Sequence, residues 1–133
     1  MTEFWPISLC NVVYKIVSKA LSNRLRTVFN EVISEAQSAF IPGRLISDNA
    51  IISYECLHTI RTKDQKDGFL ALKLDMAKAY DRVEWGFLRA MMEKLGFPDK
   101  WISRVMECVA TVSFSFLVNG EIYGSVKPTR GLR

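Results

Sequence analysis

Apolar residues recur at helical spacing from Ser8 to Val32, through Leu9, Val12, Val13, Ile16, Val17, Ala20, Leu21, Leu25, Val28 and Phe29. This pattern predicts one long amphipathic helix whose opposite face carries Lys15, Lys19, Asn23, Arg26 and Asn30. A second stripe, Ile51, Ile52, Tyr54, Leu57 and Ile60, predicts a helix from about Asn49 to Arg61, with Asp48 placed to cap it. Between the two, Ile41-Pro42-Gly43-Arg44 reads as a turn, because Pro fixes one torsion and Gly accepts a positive one. The period then shortens to two. Phe69, Ala71, Lys73 and Asp75 fall on one face and Leu70, Leu72 and Leu74 on the other, as in a strand that ends in a carboxylate.

Downstream, Asp81-Arg82-Val83-Glu84 has capping-box spacing, so Asp81 and Glu84 are expected to cap a helix running to about Leu95 and stopped by Gly96 and Pro98. Trp101, Ile102, Val105, Met106 and Val109 mark a further helix from Asp99 to Ala110. Ser113 to Val118 and Glu121 to Val126 flank Asn119-Gly120, a pair suited to the positive torsions of a type I′ hairpin. The expected class is α+β: antiparallel strands, begun by the Asp75 strand and the hairpin, flanked by helices.

Composition narrows little. The chain has 133 residues, enough for one domain with a modest core, and its 49% hydrophobic and 24% charged residues are ordinary for a globular protein. A net charge of +4 is compatible with a polyanionic partner but does not require one. Cys10, Cys56 and Cys108 are widely spaced and odd in number, which argues against a disulfide framework or a Cys-x-x-Cys metal site. His58, the sole histidine, sits within the second helix and reads as a surface or packing residue more than as a metal ligand or general base. Met1-Thr2-Glu3 does not resemble a signal peptide and no apolar run approaches the roughly 18 residues that span a bilayer. The expectation is an intracellular protein without a membrane partner.

Asp75 is the chemical focus. A hard cation takes oxygen ligands, commonly one or two carboxylates plus substrate phosphates, and a strand-borne Asp followed by the aromatic Tyr80 suits metal-dependent nucleotidyl transfer. Around it, Pro6-Ile7-Ser8-Leu9-Cys10-Asn11-Val12-Val13-Tyr14-Lys15-Ile16 with Asn23-Arg24-Leu25 form one block. Gln37-Ser38-Ala39-Phe40-Ile41-Pro42-Gly43-Arg44 with Asp48-Asn49-Ala50 form another, and Leu74-Asp75 through Trp85 a third. In this order and spacing the blocks resemble the reverse transcriptase domain of LINE-type (non-LTR) retrotransposons, most closely the plant elements.

The resemblance implies the fingers (about residues 1–68) and the start of the palm (about residues 69–133) of a right-hand polymerase. It implies an RNA template, a DNA primer and deoxynucleotide triphosphates as partners, and Mg²⁺, with Mn²⁺ as an alternative, as cofactor. Asp75 corresponds to a catalytic metal ligand, assisted by the Met76 backbone carbonyl. Tyr80 corresponds to an aromatic gate that would clash with a ribose 2′-hydroxyl; by itself it reads more readily as a core tyrosine with its hydroxyl satisfied. Arg44 could hold the triphosphate or template, or stand as an exposed turn arginine. Lys15, Lys19 and Arg26 could follow a nucleic-acid backbone, or form a solvated helix face. Arg130, with Lys127 and Arg133, leads in the family toward template contacts; the alternative is a frayed end.

The sequence departs from the family at Trp5, where an arginine usually precedes Pro-Ile. It also contains neither the Gln-Gly-Asp block nor the paired-Asp motif that follow in the family, and no endonuclease region. Missing palm and thumb segments, and no polymerase activity for these residues alone, are therefore expected. The rival reading is a non-catalytic nucleic-acid-binding remnant or an inert fragment of a degenerate element. Localisation follows the resemblance, nuclear or cytoplasmic.

Overall fold

The computed structural model describes residues 8–63 and 68–132. In chain order the elements are α1 (Val12–Arg26), α2 (Phe29–Val32), α3 (Ile46–Thr62), α4 (Ala79–Arg82), α5 (Trp85–Lys94), α6 (Asp99–Ala110), β1 (Phe114–Val118) and β2 (Glu121–Val126). They fall into two compact units, one of Ser22–Asp75 and the other of residues 8–21 with 76–132. The class is α+β, a set of helices with one two-stranded antiparallel sheet. Trp5 lies outside the described residues.

In the second of these units the core lies between α5 and α6. Ile102, 1% exposed, packs with Met92 and Met106, and Trp85, Leu88, Phe97, Trp101 and Val105 close around them. Two antiparallel helices need a tight reversal, and Gly96 makes one with φ +80°. Its N–H donates to the Glu93 carbonyl at 3.1 Å while that of Phe97 donates to Met92 at 3.1 Å. That pair of bonds is the Schellman ending, and it satisfies carbonyls that a helix end otherwise leaves open. Phe97 then stacks on Trp101 with ring centroids 6.3 Å apart.

The hairpin forms around Asn119 (φ +52°) and Gly120 (φ +87°), the torsions expected of its turn. Val118 faces Glu121, Leu117 faces Ile122 and Phe116 faces Tyr123, before an irregularity shifts the register between Phe114 and Phe116.

In the Ser22–Asp75 unit, the 34–44 loop is held by polar contacts. Arg44 donates from one guanidinium nitrogen to the Ser34 carbonyl at 2.6 Å and the Gln37 carbonyl at 2.7 Å. The other donates at 3.4 Å to Asn30 Oδ1 and to the Ile33 carbonyl. Asn49 Nδ2 adds a bond to the Ala36 carbonyl at 3.2 Å. Ile41 and Ser38 are buried inside the loop.

Four sequence expectations are corrected. The single helix over 8–32 is two, because the chain breaks after Arg26, where the Thr27 hydroxyl donates to the Arg24 carbonyl at 2.8 Å. A local side-chain bond of this kind competes with helix continuation. Asp48 does not cap α3; it sits inside the first turn, with Leu45 at the N-cap and no side-chain cap bond. Residues 69–75 join no sheet, since a strand is defined by a ladder and no described segment pairs with them. The helix expected after Asp81 starts later, at Trp85. Asp81 lies within α4, and Glu84 occupies the N-cap position of α5 without a side-chain cap bond. The cap at α1 was not anticipated: Asn11 Oδ1 accepts the Tyr14 N–H at 2.7 Å.

Candidate functional site

Asp75 ends the Ser22–Asp75 unit, exposed on a stretch without regular secondary structure, and Met76 follows it, 61% exposed. From Met76 onward the residues belong to the other unit. Lys78 turns the chain through a left-handed conformation, φ +54° and ψ +45°, from which the single turn α4 starts. Few non-glycine residues adopt this conformation, so the surroundings must hold it. Tyr80 projects from α4 with about half its surface open to solvent.

The α4 turn is fastened from the far end of the chain. The Gly131 N–H donates to the Val83 carbonyl and the Leu132 N–H to the Tyr80 carbonyl, both at 2.8 Å. The Trp85 indole N–H returns a bond of 2.8 Å to the Gly131 carbonyl. Arg130 pairs with Glu84 at 3.4 Å, but both side chains are about 60% exposed, so this contact adds little stability.

The remaining expected residues lie on other elements. Lys15 and Lys19 lie one turn apart on the exposed surface of α1, and Arg26 is its last residue. Arg44 is engaged with loop carbonyls. Sequence reasoning missed Trp85 and Gly131, whose partnership links positions too distant for any local period. It also missed Tyr14, which lines an apolar groove of about 470 Å³ with Val17, Leu21, Arg104 and Cys108. The Tyr14 hydroxyl donates to the Cys108 carbonyl at 3.0 Å. Burial first, and then the nearby thiols of Cys108 and Cys10, push its phenol above the ordinary value.

All 133 residues match the family model described as reverse transcriptase (RNA-dependent DNA polymerase). The chain belongs to this family. It is also 34% identical over 128 residues to the transposon TX1 uncharacterized 149 kDa protein of Xenopus laevis. That match covers 96% of this chain but 10% of the relative, so the chain spans about a tenth of the relative's length. No solved structure matches.

Reverse transcriptases act on nucleic-acid templates and nucleotides and generally use divalent metals, so the donor set of this segment can be tested against that need. Among the described residues no group of three or more His, Cys, Asp or Glu side chains comes together to hold a metal. Asp75 with the Met76 carbonyl is too small a set for a two-metal site, which needs oxygen donors around both ions. The described residues alone do not fit the metals. Among the described residues no helix is long and apolar enough to cross a membrane.

Proposed function

We propose that this chain is the fingers and first part of the palm, about residues 1–68 and 69–133, of the RNA-directed DNA polymerase of a LINE-type, non-LTR retrotransposon. The observation that carries the reading is the family match along all 133 residues. A particular kinship with plant elements rests on the three sequence blocks alone; the curated relative comes from an amphibian. The reaction is transfer of a deoxynucleotide to a primer 3′-hydroxyl, with release of pyrophosphate, directed by an RNA template.

In this reading Asp75 contributes one carboxylate toward Mg²⁺ or Mn²⁺, and the other ligands come from polypeptide beyond these residues. Tyr80 is the sugar gate: its ring occupies the space a ribose 2′-hydroxyl needs, selecting deoxynucleotides by excluded volume. Lys15, Lys19, Arg26 and Arg130 lie along the nucleic acid. Arg44 reaches a phosphate only by exchanging the Ser34 and Gln37 carbonyls for phosphate oxygens, so its first duty is to the loop. Residence in the nucleus or cytoplasm goes with this function.

Primer extension on an RNA template with deoxynucleotides and Mg²⁺ tests the proposal. The 133 residues alone are expected to give no product, whereas a polypeptide that also carries the Gln-Gly-Asp and paired-Asp blocks extends the primer and loses at least about 1,000-fold with Asp75→Asn. Extension by the short chain, abolished by Asp75→Asn, would overturn the inactivity. An unchanged rate in the longer Asp75→Asn protein removes Asp75 from the metal site.

The exposed Lys15 and Lys19 on α1 favour a second reading, a non-catalytic nucleic-acid-binding remnant. Binding to an RNA/DNA hybrid that weakens steeply with salt supports it, and no binding at low salt leaves an inert fragment.

A further inference from the structure

Helix α4 is one turn long, and an isolated turn does not sustain itself, because fixing its torsions costs more than its first hydrogen bond returns. The carbonyls at its end need partners from elsewhere. Residues 131 and 132 supply two of them, at Val83 and Tyr80, and Trp85 secures Gly131 in turn. The approach is tight enough that a side chain would have to push its neighbours aside. A Cβ on Gly131 would stand 3.2 Å from the Asp81 carbonyl oxygen and 3.3 Å from both Asp81 Cα and the Tyr80 carbonyl oxygen, and its φ of +90° disfavours any L side chain. The backbone that carries Tyr80 is thus held by a clasp built for glycine.

We propose that Gly131 and Trp85 are positioning residues for sugar selection, holding Tyr80 where its ring meets the 2′ edge of the nucleotide. The inference rests on the reading of Tyr80 as the sugar gate. Excluded volume discriminates only when the wall costs more to displace than the clash it imposes, so an aromatic ring on a loose single turn would yield to a ribonucleotide. The clasp makes the wall stiff. It touches neither substrate nor metal and acts through the Tyr80 backbone.

The test uses a longer polymerase polypeptide that contains these residues together with the Gln-Gly-Asp and paired-Asp blocks, and reads the ratio of kcat/KM for a deoxynucleotide to that for its ribonucleotide. Tyr80→Ala is expected to lower this ratio about 100-fold. Gly131→Ala lowers it about tenfold, and Trp85→Phe, which keeps a ring but removes the N–H donor, about threefold. Because the clasp acts through Tyr80, neither change lowers the ratio further in a Tyr80→Ala background. Equal losses for both sugars in Gly131→Ala and Trp85→Phe, or full additivity with Tyr80→Ala, would falsify the positioning role while leaving the gate intact. An unchanged ratio in Tyr80→Ala removes the gate itself, and with it the role of the clasp. Should Gly131→Ala fail to fold, Trp85→Phe and its double variant decide the matter.

Discussion

Helices α3 and α6 both carry apolar stripes, yet they end in opposite circumstances. Helix α6 buries Ile102 almost completely against α5, whereas Ile51, Ile52, Tyr54 and Leu57 on α3 remain more than half exposed. The difference lies in the distance to a partner. Helix α5 is four residues upstream of α6, and the Gly96 ending turns the chain straight back onto it. Within its own unit no described element covers the α3 stripe to a comparable degree. Periodicity therefore specifies which face of a helix is apolar and leaves open what will cover it.

Truncating the two stripes is the most direct way to break this contrast. Ile102→Ala should destabilise the fold by about 3 kcal/mol through lost burial and the cavity left behind, while Leu57→Ala should cost under about 0.5 kcal/mol. Urea unfolding of the chain measures both, and equal losses would mean that α3 is covered in solution. A smaller effect is expected where polar staples replace a core. Arg44→Ala should cost about 2 kcal/mol, because it leaves loop carbonyls without their charged donor. Arg44→Lys should recover little of this, since an ammonium cannot reproduce the guanidinium fork; full recovery by Lys would show that charge alone sufficed.

A smaller effect than that of Arg44 concerns α1, largely exposed but anchored by Tyr14. Tyr14→Phe should cost about 1 kcal/mol at neutral pH, the net worth of one hydrogen bond. Folding holds this phenol above its ordinary 10.0, so the neutral form is favoured in the native state. The stability gained this way is fully present below the unfolded value and is lost as pH rises through the folded one. The gap between wild type and Tyr14→Phe should therefore narrow above pH 10.0, and a gap that widens there would contradict the burial of the hydroxyl.

What could be read in the sequence follows the same contrast. Helix α6 was expected at its observed bounds, and the hairpin within a residue, because Gly96, Pro98 and Asn119-Gly120 are stop and turn signals acting over a few positions. Apolar alternation at 69–75 promised a strand, but a strand needs a neighbour that alternation cannot name. Capping spacing misled at Asp48, which falls inside the first turn of α3, and it placed the start of α5 four residues early, at Asp81 and not Trp85. At the candidate site, Tyr80 could be singled out by type and position. The backbone donors beneath it could not, since any non-proline residue offers an N–H and only folding brings those of Gly131 and Leu132 there.

The bonds joining Tyr80 and Val83 to Leu132 and Gly131 close the intervening chain into a ring. Helices α5 and α6 and the hairpin hang from that ring as a pendant whose two stems meet at one knot. Changes in hairpin length, far out on the pendant, can be absorbed without moving the knot, because loop-closure entropy grows only slowly with length. Tension on either stem goes directly to the knot, and thus to the backbone beneath Tyr80.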